Sequence, residues 1–380
     1  MKFNTRNVHF AAQIQAEEKS KSTPIYQTSA FAFQDLEEME TYFSGDKSYL
    51  YTRMGHPNTD ELGRGVAQLE NAEAGAASAS GLSAILAGVL TAASHGDRVV
   101  ATEDIYGGTY QLFENELQEF GIKVEFIDFS DHEAVKKALS EQTALLYTES
   151  LTNPLLRTED LEAVAKLARE ADAKLMVDNT FATPYLLQPH DHGADLVVHS
   201  ATKYIGGHSD VTAGVLTGNT EDIRKARAKI STLGSNLGPF DAWIASRGLK
   251  TLSLRMEKQC SNAARLAETL RAHPAVKRTF YPEYVSPRGN GAIVTIDLYD
   301  HIDLNLFSKA LSWVKVIPTL AGVETTISYP KGTSHRALSQ EVRDRLGVTD
   351  TMIRVSVGIE DADDIAAVFT KALEEANAAE

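Results

Sequence analysis

Apolar residues along the middle of the chain alternate between short uninterrupted runs and longer stretches in which they recur every three or four positions. The short runs are typical of buried strands, and the spaced stretches are typical of helices. Strands that alternate with helices favour a largely parallel sheet that helices cover on both faces. The predicted strands are 98–101, 124–127, 144–147, 174–177 and 195–198, and the predicted helices are 62–74, 110–120 and 161–170.

The two ends of the chain show different patterns. The first 60 residues carry aromatic side chains but little helical periodicity, so we expect an arm that buries them against a neighbouring subunit. The C-terminal elements predicted are helices at 241–271 and 304–313 and strands at 292–298 and 352–357. A chain of 380 residues exceeds what one compact core usually serves. The predicted parts are an N-terminal arm (1–60), a large domain (61–240) and a smaller C-terminal α/β domain (241–380).

Composition excludes several classes of function. The net charge of -15 leaves no basic excess to neutralise nucleic-acid phosphates. No apolar run approaches the ~18 residues of a membrane span, and the polar start of the chain does not resemble a secretory signal. The single cysteine, Cys260, excludes an internal disulfide and fits a reducing cytoplasm. We therefore expect a cytoplasmic protein without nucleic-acid or membrane partners, in which Cys260 is packed in a helix.

The strongest chemical signal lies around Lys203. A lysine amine can form a Schiff base with the aldehyde of pyridoxal phosphate (PLP), and the hydroxyls of Ser200 and Thr202 suit a phosphate ester. Asp178 ends an apolar strand and can keep a pyridinium nitrogen protonated, which makes the ring an electron sink. Because parallel strands place their carboxyl ends at one edge, Asp178 and Lys203 are expected to face one crevice. The alternatives are an exposed lysine and an aspartate that forms a cap or turn; the residues after Asp178 do not resemble a helix start.

Three further positions fit the same chemistry. Gly81 and Leu82 open an apolar helical stretch, where backbone amides can bind an anion. Tyr106 follows a strand and could stack on a planar ring. Arg354 lies on a predicted strand, and its guanidinium could bind the carboxylate of an amino acid. The alternatives are an empty turn, an aromatic loop anchor and a surface salt bridge.

Other ligand classes lack their signatures. There is neither a dinucleotide fingerprint nor a Walker loop, which disfavours nicotinamide cofactors and nucleoside triphosphates. The histidines at 190, 192, 199 and 208 do not follow a common zinc spacing, and no second cysteine is present. We therefore expect no metal, and we interpret the histidine-rich stretch as a solvated loop.

In order along the whole chain, the motifs resemble those of the cystathionine γ-synthase/γ-lyase family, the PLP enzymes of methionine and cysteine metabolism. The matching segments are 51–53, 80–82, 106–110, 149–154, 177–181, 199–210, 238–241, 247–252 and 353–358. The resemblance implies an α/β fold of the aspartate-aminotransferase type (PLP fold type I), with a mostly parallel seven-stranded sheet in the large domain. It also implies a homotetramer, a dimer of dimers whose active sites are shared between subunits.

The resemblance implies a role for each residue in these motifs. Lys203 is expected to be the Schiff-base lysine and proton shuttle, with Tyr106 and a neighbouring subunit's Tyr51 as further catalytic residues. Arg354, Asn153 and Thr319 are expected to bind the substrate. The expected cofactor-binding residues are Lys203, Asp178, Tyr106, Gly81, Leu82, Ser200, Thr202, Thr180 and, from a neighbouring subunit, Tyr51 and Arg53.

Departures from the family pattern bear on the reaction. Gly108 replaces the cysteine typical of methionine γ-lyases, Pro318 stands where other members carry glutamate, tyrosine or valine, and the loop at 283–290 is short. The favoured interpretation is a transsulfuration enzyme that acts on sulfur amino acids or O-acylhomoserine by γ-replacement or γ-elimination. The alternatives are a cystathionine β-lyase or an O-acetylhomoserine sulfhydrylase and, more remotely, a PLP aminotransferase or a non-catalytic scaffold.

Overall fold

The computed structural model describes residues 1–10, 20–45, 48–336 and 338–378, so parts of the predicted arm, 11–19 and 46–47, lie outside the described residues. Two sheets and the helices around them account for most of this chain. The strands are β1 (Ala74–Ser78), β2 (Arg98–Thr102), β3 (Lys123–Ile127), β4 (Leu145–Glu149), β5 (Lys174–Asp178), β6 (Leu196–Ser200), β7 (Gly214–Gly218), β8 (Val276–Phe280), β9 (Ile293–Leu298), β10 (Lys315–Val316), β11 (Thr326–Ser328) and β12 (Met352–Ser356).

The helices surround these strands. They are α1 (Phe3–Val8), α2 (Leu36–Ser44), α3 (Pro57–Leu69), α4 (Gly81–Ala92), α5 (Gly107–Gln111), α6 (Leu117–Glu119), α7 (His132–Ala138), α8 (Leu161–Glu170), α9 (Thr183–Leu186), α10 (Thr220–Leu233), α11 (Pro239–Leu249), α12 (Leu252–Arg271), α13 (Leu304–Ala310), α14 (Gln340–Leu346) and α15 (Ala362–Asn377). A π-helical turn, Leu112–Glu116, joins α5 to α6, and 3-10 turns lie at Thr52–Met54, Pro189–His192 and Pro330–Gly332. No helix in the described part of the chain combines the length and hydrophobicity that a membrane-spanning segment needs.

The large sheet has seven strands in the order β1-β7-β6-β5-β4-β2-β3. Its strands run parallel except for β7, which is antiparallel to both of its neighbours. The central strands are buried because separate apolar clusters pack on the two faces of the sheet. The predicted parallel sheet is therefore confirmed. Its carboxyl edge brings together the ends of β4, β5 and β6, which are Glu149, Asp178 and Ser200.

Strand β1 consists of small residues, and its first residue, Ala74, falls within the helix predicted at 62–74. The assignment of 62–74 to one helix is wrong, because α3 ends at Leu69 and Ala74 already pairs with β7. The physical reason is the close packing of α3 on β1. A Cβ atom at Gly63 would lie 2.6 Å from the carbonyl oxygen of Gly75, so this approach requires glycine.

The second sheet has five strands in the order β10-β11-β12-β9-β8. It packs on α12, α13 and α15 around a core of its own. Arg354 lies in the middle of the central strand β12, opposite Thr295 of β9. The hydroxyl of Thr295 donates a hydrogen bond to the carbonyl oxygen of Pro154 at 2.7 Å, and this bond ties the second sheet to the loop that follows β4.

The long helix predicted over 241–271 is two helices. Helix α11 ends at Leu249, and α12 begins at Leu252. The buried guanidinium of Arg255 donates hydrogen bonds to the carbonyl oxygens of Gly248 and Tyr204 at 2.8 and 2.7 Å. In a continuous helix the carbonyl oxygen of Gly248 would accept the backbone amide four residues further along the chain. Arg255 donates to this oxygen instead, and the chain turns at this point. Cys260 is buried in α12, which confirms its predicted packing.

Smaller differences affect the other elements. The helix predicted at 304–313 ends at Ala310, and the helix predicted at 110–120 begins at Gly107 and contains the π-helical turn. Strands β7, β8, β10 and β11 were not predicted, because they are short or rich in glycine and polar residues. The other predicted strands and the helix at 161–170 are confirmed.

Part of the predicted arm packs against its own chain. Phe3 and Phe10 are buried, and the side-chain amide of Asn7 donates a hydrogen bond to the carbonyl oxygen of Leu249 at 2.5 Å. Two apolar side chains of α2 are turned outward instead, with Leu36 77% and Phe43 64% exposed. Contact of the arm with a neighbouring subunit stays a prediction, as does the division of the chain at residues 60 and 240.

Candidate active site

A cavity of about 480 Å³ opens at the carboxyl edge of the large sheet and is closed on its other side by β12 and the loops beside it. Such a crevice is where ligands bind in open α/β sheets. The structure brings together in its wall most of the residues singled out in the sequence. They are Lys203, Asp178, Tyr106, Gly81, Leu82, Ser200, Thr202, Thr180, Asn153 and Arg354.

Lys203 lies in the turn that follows β6, with its amine inside the cavity. The Nζ atom donates a hydrogen bond to Oγ1 of Thr319 at 2.7 Å, which places Thr319 at the reacting end of the lysine. Burial lowers the pKa of Lys203 to about 8, and the positive charge of Arg354 acts in the same direction. The amine is therefore much easier to deprotonate near neutral pH than an exposed lysine, and the solvated-lysine alternative is wrong.

Asp178 lies at the end of β5, in the wall of the cavity. Its Oδ1 atom accepts a hydrogen bond from the backbone amide of Thr180 at 2.9 Å, and Oδ2 is 3.4 Å from the hydroxyl of Tyr147. Burial raises the pKa of Asp178, whereas the hydrogen bonds from Thr180 and the proximity of His199 lower it. A cation placed against this carboxylate would favour its ionised form further.

The turn-forming alternative for Asp178 holds alongside its place in the cavity, because the bond to Thr180 is such a turn. The interpretation that no helix begins in the residues after Asp178 is wrong, since the short helix α9 begins at Thr183. Both roles are compatible because Asp178 lines the cavity while its Oδ1 atom makes the turn.

The start of α4 forms the polar end of the cavity. The hydroxyl of Ser80 accepts the amide of Ser83, which leaves the amides of Gly81 and Leu82 as the open donors of the first turn. A Cβ atom at Gly81 would lie 2.8 Å from Cβ of Ser200, so glycine is needed where this turn meets the end of β6. Two amides and the Ser200 hydroxyl therefore converge on a space suited to a phosphate group.

Threonine hydroxyls hold this end of the cavity in place. The amide of Ser200 donates a hydrogen bond to Oγ1 of Thr180 at 2.8 Å, which ties the end of β6 to the segment after β5. The amide of Ala213 donates to Oγ1 of Thr202 at 3.0 Å. Thr180 and Thr202 thus also fix the backbone around the predicted phosphate site.

Arg354 and Asn153 form a pair at the opposite end. The guanidinium donates a hydrogen bond to Oδ1 of Asn153 at 2.8 Å, and both side chains are buried. Burial lowers the pKa of Arg354 to about 10, so the guanidinium remains charged at neutral pH. The surface-salt-bridge alternative is wrong, because this cation points into the cavity with capacity for an anion.

Tyr106 stands at the rim, immediately before α5, and its side chain is 42% exposed. The backbone amide of Tyr106 donates a hydrogen bond to Oε1 of Glu149 at 2.7 Å. A Cβ atom at Gly108 would lie 2.6 Å from the Tyr106 ring, so a larger residue at 108 would displace this ring. The glycine noted as a departure from methionine γ-lyases therefore has a structural role here.

Tyr51 and Arg53 do not line this cavity. Tyr51 is 43% exposed, and the Arg53 guanidinium lies 5.5 Å from the centre of the Tyr51 ring. Arg53 also donates a hydrogen bond to the carbonyl oxygen of Ser231 at 3.3 Å. Their predicted action on a neighbouring subunit's cofactor stays a prediction.

Two ionisable groups at the site, Glu149 and His335, had no role predicted from the sequence. Glu149 ends an apolar strand, the same signal that pointed to Asp178. His335 is fully buried beside Ser334, a residue of the cavity wall, and burial lowers the pKa of its imidazole to about 4. No sequence signal marked His335, because the loop that carries it has no periodicity.

The solvated-loop interpretation of the histidines is partly wrong. His190 is half-buried and contacts the Thr217 hydroxyl at 3.0 Å, and His199 is buried against Glu70 at 2.7 Å. His208 is exposed. Within the described residues, no group of three or more His, Cys, Asp or Glu side chains is arranged to hold a metal ion.

Comparison with known proteins gives concordant results. The family model described as Cys/Met metabolism PLP-dependent enzyme matches residues 4–374. A cystathionine β-lyase of Lactococcus lactis is 37% identical over 97% of this chain and 98% of its own length. A cystathionine γ-lyase of Bacillus subtilis is 39% identical over 98% of this chain and 100% of its own.

The architecture has matches among solved structures as well. The crystal structure of a cystathionine γ-synthase from Xanthomonas oryzae pv. oryzae, in complex with aminoacrylate and cysteine, superimposes with a TM-score of 0.93 at 31% identity. The alignment covers 100% of this chain and 99% of that one. The fold predicted from the sequence, PLP fold type I with a smaller C-terminal α/β part, is thereby confirmed.

Proposed function

Because this chain belongs to the family of Cys/Met metabolism PLP-dependent enzymes, we propose that it replaces or eliminates a sulfur or acyloxy group at the γ carbon of an amino-acid substrate. One observation carries this proposal. A lysine amine, a buried carboxylate and a buried arginine, each from a different part of the fold, meet in one cavity. That set matches what PLP chemistry on an amino acid requires.

The residues present fit the cofactor. The amides of Gly81 and Leu82 and the hydroxyls of Ser200 and Thr202 would hold its phosphate, and Lys203 would link to its aldehyde. Asp178 would hold its ring nitrogen, and Tyr106 would cover its ring. When bound, PLP supplies an electron sink for the negative charge that develops at the substrate's α carbon.

Side chains of this protein would orient the substrate and move its protons. Arg354 would bind the α-carboxylate in two places, with Asn153 holding the guanidinium in position. Lys203, with its lowered pKa, would take the α proton onto Nζ, while the Thr319 hydroxyl holds that nitrogen. Tyr106 at the rim would donate a proton to, or accept one from, the group at the γ carbon.

The cavity wall supports an acylated homoserine as the γ substrate. Its described lining contains one arginine, Arg354, and that residue is assigned here to the α-carboxylate of the substrate. The remaining wall includes Pro318, Leu320 and Leu82, which are apolar. These apolar side chains can pack against the small uncharged acyl group that an O-acylhomoserine carries, since burying apolar surface is favourable.

A second candidate is β-elimination of cystathionine. The observation that favours it is the match to the Lactococcus lactis cystathionine β-lyase over nearly the whole of both chains. In that reaction the same residues would bind the α-carboxylate and move the α proton, and the bond broken would lie at the β carbon. Side-chain geometry around Lys203 suits both reactions.

Product analysis separates these reactions. The protein is incubated with O-acetylhomoserine and cysteine, and in a separate reaction with cystathionine alone, and the products are identified by mass spectrometry. We expect cystathionine and acetate from the first mixture, or cysteine, 2-oxobutanoate and ammonia from the second. Homocysteine, pyruvate and ammonia from cystathionine, with no reaction of the homoserine ester, would replace γ chemistry with β-elimination. Unchanged substrate in both would overturn the proposal.

The proposal extends to the assembly, a homotetramer in which Tyr51 and Arg53 complete the site of a neighbouring subunit. It is supported by the exposure of apolar side chains on the arm, including Phe43 and Met54 at 64% and 46%. A reducing cytoplasm is the proposed location, since the only cysteine is a buried free thiol. Mixed oligomers of Tyr51→Phe and Lys203→Ala subunits should regain activity that neither variant has alone; no recovery would contradict shared sites.

A further inference from the structure

Glu149 is a buried acidic residue in the cavity wall for which the reaction described above has no role. It ends β4 and lies in register with Asp178 at the end of the neighbouring parallel strand β5. Glu149 is 5% exposed, and its Oε1 atom accepts the backbone amide of Tyr106 at 2.7 Å. Two carboxyl groups therefore stand side by side at the carboxyl edge of the sheet.

The surroundings of Glu149 oppose a negative charge. The charged groups that act on it are themselves acidic, Asp178 and Asp104, and its one favourable partner is the neutral amide of Tyr106. Burial raises the pKa of Glu149 well above its usual range, and Asp178 and Asp104 raise it further. Two neighbouring buried carboxylates cannot both ionise without a large penalty.

Asp178 has the partners that stabilise the charged form. The Thr180 amide donates to its Oδ1 atom at 2.9 Å, and the Tyr147 hydroxyl lies 3.4 Å from Oδ2. His199 also favours the charged form of Asp178. The two carboxyl groups therefore differ in their hydrogen-bond and charge partners, and these partners favour the negative charge on Asp178 rather than on Glu149.

The amide that Glu149 holds is that of the residue whose ring faces the cavity. Tyr106 directly precedes α5 and is followed by two glycines, Gly107 and Gly108, which contribute no side-chain anchors. A Cβ atom at Gly107 would lie 1.8 Å from the carbonyl oxygen of Ser334, so this backbone is threaded tightly between Glu149 and the loop at 330–336. A small shift of the Tyr106 amide would therefore move its ring.

We propose that Glu149 is a positioning residue that stays protonated, holds the Tyr106 amide and thereby fixes the Tyr106 ring, while leaving the negative charge of the carboxyl pair on Asp178. The inference rests on the proposed function only in placing Tyr106 and Asp178 against the cofactor. It does not depend on which substrate is transformed or which bond is broken.

Two substitutions of Glu149 separate its role as a hydrogen-bond acceptor from its ability to carry a negative charge. Glu149→Gln keeps a neutral carbonyl acceptor of the same length, whereas Glu149→Ala removes the acceptor and leaves the Tyr106 amide buried and unpaired. Glu159→Gln is the matched control, since Glu159 is half-buried and its pKa is likewise raised, to about 7, but it lies outside this cavity. All variants are measured as purified holoenzyme without substrate, by PLP affinity and visible circular dichroism of the bound cofactor.

We expect Glu149→Gln and Glu159→Gln to match the wild type within about twofold in PLP affinity. Glu149→Ala should bind PLP about tenfold more weakly, as expected for one unsatisfied buried amide, and its visible circular dichroism should be reduced because the ring partner has shifted. The infrared difference between wild type and Glu149→Gln at neutral pH should contain the carbonyl band of a protonated carboxylic acid.

A Glu149→Gln variant as impaired as Glu149→Ala would overturn the inference, as would carboxylate bands in place of the protonated band. Wild-type behaviour of Glu149→Ala would show that the Tyr106 ring needs no such support. If Glu149→Ala does not fold, the glutamine variant and the infrared spectrum still decide the protonation state. A wrong assignment of the reaction would leave every one of these measurements unchanged, so the two failures are distinguishable.

Discussion

Replacing Arg354 with glutamine tests the substrate end of the cavity most directly. Arg354 is 2% exposed, and burial lowers the pKa of its guanidinium from 12.5 to about 10. That fall corresponds to ~3 kcal/mol of unfavourable burial of the charge. Asn153 offsets part of it by accepting a hydrogen bond at 2.8 Å. Because burying this charge is unfavourable, we expect the Arg354 guanidinium to bind an anion, the carboxylate of the substrate.

Loss of the guanidinium should lower turnover without lowering the stability of the substrate-free protein. Hydrogen bonds from a charged donor contribute ~1.5–3 kcal/mol each, so losing a two-point contact with the carboxylate should lower kcat/KM by about 10² to 10⁴-fold. Thermal unfolding of the substrate-free protein should stay unchanged or shift upward, because the burial cost disappears with the charge. PLP should remain bound, since the residues proposed to hold its phosphate and ring lie at the other end of the cavity.

Steady-state kinetics, visible absorption and thermal unfolding test these expectations on the same preparations. The kcat/KM of Arg354→Lys should lie between those of the wild type and Arg354→Gln, because lysine keeps the charge but not the paired donors of the guanidinium. Arg278→Gln is the matched control, since Arg278 lies in the same sheet with a side chain that is 56% exposed. A kcat/KM within roughly threefold of the wild type in Arg354→Gln, or loss of PLP from that variant, would refute the assignment.

Three further changes have defined outcomes. Lys203→Ala should abolish the borohydride-reducible visible absorption of bound PLP, because it removes the linking amine; a persistent band would exclude Lys203 from that role. The rate at which PLP-free wild type takes up PLP should rise with pH and level off above about 8, because the neutral amine attacks the aldehyde and the pKa of Lys203 is lowered to about 8; a rate still rising near pH 10 would contradict this, since it would match the ordinary value of 10.5. Gly63→Ala should lower the free energy of unfolding by ~1–3 kcal/mol, because its Cβ would lie 2.6 Å from the carbonyl oxygen of Gly75; urea denaturation measures the effect, and an unchanged midpoint would show that α3 can move away from β1.

Much of the fold and the site could be predicted because the relevant signals are local. The apolar run at 174–177 and the spacing at 161–170 specify a strand and a helix by themselves, and both are observed. Asp178 and Lys203 could be assigned to one crevice because strand ends in a parallel sheet share an edge. The family motifs then added Asn153, which also lines the cavity, whereas wall residues such as Thr333 and Ser334 lie outside those motifs.

The amino-acid sequence by itself determined the alternation of elements, the family and most of the candidate residues that line the cavity. Only the tertiary structure decided how those residues act together. The hydroxyl of Thr319 lies 2.7 Å from the Lys203 amine across 116 positions of sequence, and the Glu149 carboxyl stands beside Asp178 with the Tyr106 amide as its partner. The periodicity of apolar residues predicts which face of a helix or strand is buried. The pKa values and hydrogen bonds of the site residues depend on segments that are distant in the chain and meet only when it folds.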